Sequence, residues 1–378
     1  MAPIQDVNPD VYMKIPPQKE EKKPGQLNHA QIQQYFEEGY VIVPDFFKPE
    51  ELEPVREGVK SEVDRIINQL YNAGKIKDKY ENVDLFQRMT CVEKEFPGAA
   101  VLLHKAGRLP QSFKDLWSDA RLLNVMEQLI GPNIAGHPVW NLRVKAISLF
   151  CIHQQTPQNE EAVVPWHQDN AYLDPNALNV LQVTAWIPLL DVNAKNGCMQ
   201  VARKGHRKGV TAKHRCCVGG TWYVEVLEED MIEALGVDMD KDLVTCDMSY
   251  GGVLLMNNCV PHRSLTNLSH NIRWSLDLRW QRPDKPNGFY GIKDCVMMRK
   301  EDDPNYKPIW AEYESSDRHT IAKEVFSQNK NPDLEIESDD IDFDTTITGP
   351  WMQRWDLVFH NRHTQNFKPD DKFNWVKA

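Results

Sequence analysis

Short β-type runs in the second half of the chain limit most strongly what it can fold into. They cover residues 143–151, 180–189, 198–202, 252–256 and 272–280. Turn pairs such as Asn196-Gly197 and Gly251-Gly252 stand between them. Brief strands divided by tight turns are typical of an antiparallel barrel or jelly roll. We therefore expect a mainly β core.

The first half of the chain carries helix signals. Asn28 can cap a helix over about 29–38, and Gly39 can end it. A longer amphipathic helix is predicted over 49–72, because Pro49 and the acidic residues after it suit a helix N-terminus. A further helix is predicted over 112–129, and a compact strand over 40–44. These elements predict helices packed outside the β core, an α+β arrangement.

Three segments follow from these patterns. Residues 1–27 are rich in Pro, Lys and Glu and predict a mobile N-terminal arm. Residues 28–290 would form the main domain with its N-terminal helices. Residues 291–378 would form a C-terminal extension that packs on the same domain, with Trp351 and Trp355 among its apolar contacts.

Charge and composition narrow the possible partners. The 378 residues carry a formal net charge of −11, which disfavours a broad nucleic-acid or anionic-membrane surface. No apolar run is long enough to span a bilayer, and the first residues lack the apolar stretch of a signal peptide. The cysteines have no CxxC spacing, so we expect reduced thiols, the adjacent Cys216 and Cys217 included. A cytoplasmic protein acting on a small molecule is the resulting expectation, with its oligomeric state left open.

The strongest chemical signal is the pair His167 and Asp169. In an extended segment, residues i and i+2 point to the same side, so one imidazole and one carboxylate could meet at one point. Two His and one carboxylate on one face of an octahedron suit iron(II) that must also bind a cosubstrate and dioxygen. Alone, this His-x-Asp pair is no better than a surface coincidence, since about one such match is expected by chance.

Residues about ninety positions later in the chain favour a metal site over a chance match. His262 follows a Gly-Gly turn and the buried-strand run 252–256, with Ser264 two residues later and Arg273 eleven residues later. A charged Arg inside a β-type run is costly to bury without an anionic partner. The C5 carboxylate of 2-oxoglutarate could fill that role through two parallel hydrogen bonds, and Ser264 could add a hydroxyl. For Arg273 by itself, an edge-strand salt bridge is the simpler explanation.

The order and spacing of these residues resemble the phytanoyl-CoA dioxygenase family. Further segments agree with the family pattern: 40–47, 131–134, 185–189, 196–199 and 262–273. The resemblance covers roughly residues 28–282. One departure is the loop that often reads Pro-Gly-Ser-His in the family and here reads Arg203-Lys204-Gly205-His206. It leaves the metal site untouched, but it argues against transferring a substrate from the family.

The resemblance implies a double-stranded β-helix core, a jelly roll of the cupin-like kind. It implies iron(II) held by His167, Asp169 and His262. It implies 2-oxoglutarate bound by Arg273 and Ser264, with Trp186 lining the cosubstrate pocket. Dioxygen would be the oxidant and ascorbate a candidate reductant. Because Asp169 fills the carboxylate position, hydroxylation is favoured over halogenation.

The expected function is thus hydroxylation of an unactivated C–H bond in a small organic substrate, with release of succinate and CO2. An anionic metabolite and an acyl-CoA are the candidate substrates. The basic stretch 203–215 could meet such a substrate, or could be a solvated loop. Two alternatives stay open: a cupin-like metal oxygenase that does not use 2-oxoglutarate, and a non-catalytic binding protein on the same fold.

Overall fold

A computed structural model of the protein describes residues 8–106, 108–145, 163–303, 305–315 and 343–364. Most of the helices precede the sheets in the chain. The helices are α1 (Asp10–Met13), α2 (His29–Glu38), α3 (Pro49–Asn72), α4 (Leu85–Glu95), α5 (Ala99–Ala106), α6 (Gln111–Trp117), α7 (Ala120–Ile130), α8 (Glu228–Asp230), α9 (Trp310–Ser315) and α10 (Trp351–Arg354). Two 3-10 turns, Asp169–Tyr172 and Pro175–Ala177, and a π-helical turn, Met231–Leu235, add to them.

The strands come largely from the second half of the chain, as the sequence predicts. They are β1 (Tyr40–Val43), β2 (Ile134–Gly136), β3 (Asn141–Lys145), β4 (Val183–Pro188), β5 (Met199–Ala202), β6 (His214–Cys216), β7 (Glu225–Val226), β8 (Leu243–Thr245), β9 (Val253–Asn257), β10 (His262–Ser264), β11 (Arg273–Gln281), β12 (Val296–Arg299) and β13 (Asp356–Leu357). Of the predicted run 143–151, residues 146–151 lie outside the described part of the chain.

Two antiparallel sheets form the barrel. The larger has the order β1-β9-β4-β11-β2-β12, and β3 pairs with the N-terminal half of β11. The smaller has the order β10-β5-β8. Their facing sides enclose an apolar core to which Trp186, Leu254 and Met256 contribute from the larger sheet and Val201 from the smaller. This is the predicted jelly-roll core, a double-stranded β-helix.

The outer face of the larger sheet is covered by the helices. Its side chains Ala185, Ile187, Leu255 and Leu276 share one buried cluster with residues of α2 to α7. Because side chains alternate along a strand, the other face of β11 points into the barrel. That inner row is polar and carries Arg273, Ser275, Asp277 and Arg279, all buried. Because side chains alternate along β11, this one strand places several charged side chains inside the barrel.

The predicted helix boundaries at the N-terminal end are confirmed for α2 and α3. The Asn28 side chain accepts a hydrogen bond from the Gln31 amide, and the Gln31 side chain accepts one from the Asn28 amide, which completes a capping box. Gly39 ends α2 with φ of 87°, a conformation that favours glycine. The predicted helix over 112–129 is instead two helices, because Asp119 breaks the run and caps α7 through the amides of Arg121 and Leu122.

Two other sequence expectations differ from the structure. Residues 8–27 were expected to belong to a mobile arm, but they pack on the body, with Tyr12 fully buried and Leu27 nearly so. Burial of these apolar side chains outweighs the polar composition of the segment. The expectation of reduced thiols is wrong at Cys216 and Cys217, which form a disulfide across a cis peptide bond. The other described cysteines are free.

Candidate active site

The structure brings His167, Asp169 and His262 together inside the barrel. Asp169 Oδ1 lies 3.7 Å from His167 Nε2 and 3.8 Å from His262 Nε2. All three side chains are buried, and one potential ligand atom from each lies within 4.8 Å of the others. Two backbone hydrogen bonds, His167 N to His262 O at 3.0 Å and His262 N to His167 O at 2.9 Å, fix the imidazoles side by side. A short antiparallel bridge thus joins sequence positions that are far apart.

Backbone carbonyls fix the tautomer of both histidines. His167 Nδ1 lies 2.8 Å from Pro165 O, and His262 Nδ1 lies 3.0 Å from Val260 O. Since a carbonyl oxygen only accepts, each Nδ1 must carry the hydrogen, which leaves the Nε2 lone pairs directed at the common point. Burial, with His167 adding to it, lowers the pKa of His262 to about 4. Both features suit neutral imidazoles that bind a metal.

Asp169 is held ionised by Arg279, a residue that was not predicted for the site. The guanidinium of Arg279 donates from Nε and Nη2 to Asp169 Oδ2 at 3.1 and 3.0 Å, and Thr184 Oγ1 donates to the same oxygen at 3.2 Å. Burial alone would raise the pKa of Asp169, but the charge of Arg279 beside it holds the pKa well below its ordinary value. The site thus offers a carboxylate, not a carboxylic acid.

The donor set fits iron(II). Two neutral imidazole nitrogens and one carboxylate oxygen at a single buried point form the 2-His-1-carboxylate arrangement of non-haem iron oxygenases. A thiolate-preferring metal is not favoured, because Cys198, Cys246 and Cys259 are absent from the group of candidate ligands among the described residues. The remaining coordination positions would be open to other ligands.

Arg273 is a buried cation with an unused donor. Its Nη1 donates to Ser275 Oγ at 2.6 Å, while its buried Nε has no hydrogen-bond partner within the described ranges. Its guanidinium carbon lies 5.2 Å from the centre of the Trp186 ring. Burial lowers the pKa of Arg273 to about 10, so it remains charged at neutral pH. An open donor on a buried guanidinium fits the carboxylate of an oxo acid.

Ser264 lies in a polar cluster with Lys145, whose partner on the neighbouring strand is Arg273. Lys145 Nζ donates to Ser264 Oγ at 2.7 Å and the Val164 amide donates to it at 3.0 Å. With both acceptor positions of the oxygen used, the hydroxyl hydrogen of Ser264 is left to donate to a ligand. Burial, followed by repulsion from Arg273 and Arg143, lowers the pKa of Lys145 well below its ordinary value. A bound carboxylate would relieve that repulsion.

Lys145, Arg143 and Arg279 were not among the residues predicted for the site. A usable signal existed in the alternation of β11, where every second residue from Arg273 to Arg279 is polar. The partners on β3 follow from register, since Arg273 pairs with Lys145 and Ser275 pairs with Arg143. Register is a tertiary property, so their convergence could not be read from spacing alone.

The basic stretch 203–215 is largely engaged with other parts of the chain. Arg203 and Lys204 contact Glu38, and Arg215 binds Glu225. His206, which keeps the family's histidine in the loop that otherwise departs from the pattern, is buried, with Nε2 donating to the Phe36 carbonyl at 2.8 Å. These contacts fasten the loop to α2 and β7, which favours a packing role over a substrate surface.

The C-terminal segment 343–364 reaches the turn that carries Asp169. Tyr172 lies edge-on to His167, with ring centres 5.5 Å apart, and Trp351 lies edge-on to Tyr172 at 5.9 Å. Arg354 Nη1 donates to Asn170 O and Leu173 O at 2.7 and 2.6 Å. This segment therefore adds an aromatic wall close to one imidazole of the triad.

Comparison with known proteins agrees with this architecture. Two curated relatives, 1-deoxypentalenic acid 11-beta-hydroxylases of Streptomyces arenae and Streptomyces exfoliatus, are 29% and 28% identical to the chain over 194 and 192 residues. Each match covers 50% of this chain and 64% of the relative, less than two thirds of the relative's length. A solved structure described as the apo non-heme monooxygenase ThoJ has a TM-score of 0.50 at 16% identity, and the match covers 79% of this chain and 99% of that one. This structural match supports the fold alone.

None of the helices in the described residues is long and apolar enough to cross a membrane.

The family model for phytanoyl-CoA dioxygenase (PhyH) matches residues 35–275, which is more than half of the chain and contains the triad, Ser264 and Arg273. The chain belongs to the phytanoyl-CoA dioxygenase family.

Proposed function

We propose that the protein is an iron(II)- and 2-oxoglutarate-dependent dioxygenase that hydroxylates an unactivated C–H bond of a small organic substrate, releasing succinate and CO2. The observation that carries this proposal is the pairing of a buried His-Asp-His triad with a buried, open-donor Arg273 in one barrel. An oxygenase that uses a metal but not 2-oxoglutarate would not need a buried arginine with an open donor. The family membership supports the same reaction class.

In this proposal, His167, Asp169 and His262 hold the iron, whose chemistry when bound is the activation of dioxygen together with the cosubstrate. Arg273 and Ser264 bind the distal carboxylate of 2-oxoglutarate, and Trp186 packs against the Arg273 guanidinium. Lys145 orients the Ser264 hydroxyl. The protein thereby binds and orients its ligands and keeps the reacting centre away from water.

An anionic substrate group is favoured by the charges inside the barrel. Three arginines, Arg143, Arg273 and Arg279, are opposed there by two carboxylates, Asp169 and Asp277. Arg143 keeps 22% of its side chain exposed, and its Nε donates to Asp277 at 2.8 Å. Burial alone would lower the pKa of Arg143, but Asp277 and the nearby Tyr223 and Tyr172 raise it. We propose that Arg143 meets a carboxylate or other anionic group of the substrate. The names of the curated hydroxylases specify an acid, which agrees with this proposal.

Iron(II)-dependent succinate release provides the test. The purified chain is given iron(II) and 2-oxoglutarate, with and without ascorbate, and then a panel of small carboxylic acids, terpenoid acids and acyl-CoAs. We expect slow succinate release without substrate and faster release with an accepted acid. His167→Ala should remove both. Absence of iron-dependent succinate release throughout the panel would contradict the proposal.

One alternative remains testable with the same assay. A metal-dependent oxygenase that does not use 2-oxoglutarate would consume dioxygen with an accepted acid when 2-oxoglutarate is left out. Oxygen uptake that is unaffected by omission of 2-oxoglutarate would favour that alternative. Uptake that requires 2-oxoglutarate would support the proposed function.

A further inference from the structure

Among the charged side chains of the described residues, Arg279 makes the closest hydrogen bonds to the triad, at 3.0 and 3.1 Å from Asp169 Oδ2. It is 5% exposed and lies on the inner face of β11, six residues beyond Arg273. It also lies beyond the C-terminal end of the family match at residue 275. Its backbone is held in place by two hydrogen bonds. Arg279 O accepts one from the His137 amide at 2.9 Å and one from Trp117 Nε1 at 3.1 Å. The side chain is therefore presented from a rigid position.

The two oxygens of Asp169 are in different environments. Oδ2 accepts from Arg279 Nε, Arg279 Nη2 and Thr184 Oγ1 at 3.0 to 3.2 Å. Oδ1 faces the two imidazole Nε2 atoms and, among the described residues, accepts one bond, from Arg279 Nη2 at 3.2 Å, whereas Oδ2 accepts three. Arg279 and Thr184 are directly opposite each other on β11 and β4, so sheet register aims both donors at the same oxygen.

We infer that Arg279 is a positioning residue that turns one oxygen of Asp169 toward the metal and holds the other away from it. This inference rests on the proposed function, because it assumes that the triad binds a metal. A carboxylate that uses one oxygen occupies one coordination position, whereas a carboxylate that uses both occupies two. By keeping Oδ2 engaged, Arg279 and Thr184 preserve a position that the cosubstrate, dioxygen or substrate needs.

The fixed fork of an arginine matters for this role. Nε and Nη2 both bind the carboxylate, while Nη1 donates to Val139 O at 3.3 Å and fixes the plane of the guanidinium. A lysine supplies the charge but only a point donor, so it cannot fix the orientation of the carboxylate plane. Arg279→Lys therefore separates orientation from charge, and Arg279→Gln removes the charge as well.

The experiment measures cobalt(II) binding to the full-length metal-free protein by calorimetry, together with the visible spectrum of the cobalt(II) protein. The spectrum reports coordination number and does not depend on turnover. We expect Arg279→Lys and Arg279→Gln to weaken cobalt(II) binding by about tenfold to a hundredfold, the usual effect of removing a group that orients a metal ligand. We also expect the intensity of the visible bands to change. Thr184→Val should change both readouts in the same direction by a smaller factor.

Arg88→Lys is the matched control. Arg88 is similarly buried, at 6% exposure, and binds Asp64 among the outer helices, remote from the triad. The Arg88→Lys variant should keep the cobalt(II) affinity and the visible spectrum of the parental protein. An equal loss in Arg88→Lys, or parental behaviour of both Arg279 variants, would overturn the inference. If the Arg279 variants do not fold, Thr184→Val decides, and a parental result for it would overturn the inference.

Failure of the proposed function would look different. If the parental protein binds neither cobalt(II) nor iron(II), the proposed function falls, and this inference falls with it. If the parental protein binds metal and releases succinate while the Arg279 variants keep parental affinity and spectra, only the inference fails.

Discussion

Replacing Arg273 with methionine should remove most of the affinity for 2-oxoglutarate. The substitution retains much of the apolar stem that packs near Trp186 but deletes the guanidinium and its buried, open Nε donor. Because Arg273 stays charged at neutral pH, its hydrogen bonds to a carboxylate are charge-assisted. Each such bond contributes about 1.5–3 kcal/mol. Two parallel bonds therefore contribute roughly 3–6 kcal/mol.

That free energy sets the expected change in the dissociation constant. At 1.4 kcal/mol for each factor of ten, Arg273→Met should raise the Kd of 2-oxoglutarate by roughly a hundredfold to ten-thousandfold. The free energy by which bound 2-oxoglutarate stabilises the folded protein should fall as the Kd rises. At a concentration of 100 times the parental Kd, 2-oxoglutarate stabilises the folded protein by about 2.7 kcal/mol. In the variant, the same concentration should stabilise it by less than about 0.5 kcal/mol.

Calorimetric titration of the manganese(II)-loaded protein with 2-oxoglutarate provides the assay, since manganese occupies the site without turnover. Arg273→Lys should give an intermediate Kd, because it retains charge without the fork. Arg299→Met is the matched control, because Arg299 lies on β12 and binds Asn124 and Glu127 on α7. It should bind 2-oxoglutarate as the parent does. A parental Kd in Arg273→Met would refute the assignment of Arg273 as the carboxylate clamp.

Three further outcomes are expected. Asp169→Ala should abolish succinate release while leaving the circular dichroism spectrum intact, and continued turnover would contradict the triad. Arg354→Met should weaken cobalt(II) binding severalfold, because it removes two charge-assisted bonds to the carbonyls of the Asp169–Tyr172 turn, and a parental titration would contradict this positioning effect. The metal-free protein should lose stability as the pH falls from 6.5 toward 4, because burial lowers the pKa of His206 to about 4 while the unfolded chain takes up a proton near 6.5. At 1.36 kcal/mol per unit this difference contributes roughly 3 kcal/mol, so urea denaturation of His206→Gln should show a weaker dependence on pH across that window.

Much of the site could be predicted from local patterns. His167 and Asp169 share a side because they are two residues apart, and Arg273 is recognisable because a charged residue interrupts a β-type run. The capping residues Asn28 and Gly39 define the ends of α2 through contacts within a few residues. These features depend on neighbours in the chain, so the sequence carries them directly.

Long-range packing overrode local composition in other places. The segment 8–27 has a polar composition, yet Tyr12 is buried and its hydroxyl binds Leu178 O. The C-terminal segment reaches the Asp169–Tyr172 turn through Arg354, although about 180 residues separate the two in the chain. Neither contact has a local signature, because each depends on surfaces formed by remote parts of the fold.

Residue chemistry and short spacings in the sequence were enough to predict the candidate metal ligands, strand texture was enough to predict an antiparallel barrel or jelly roll, and the family resemblance added 2-oxoglutarate. The residues that support the site became visible only in the folded chain. Lys145 meets Ser264 and Arg279 meets Asp169 because strand register aligns β3, β4 and β11 side by side. A shift of one residue in any of these pairings would turn the same side chains to the opposite face of the sheet.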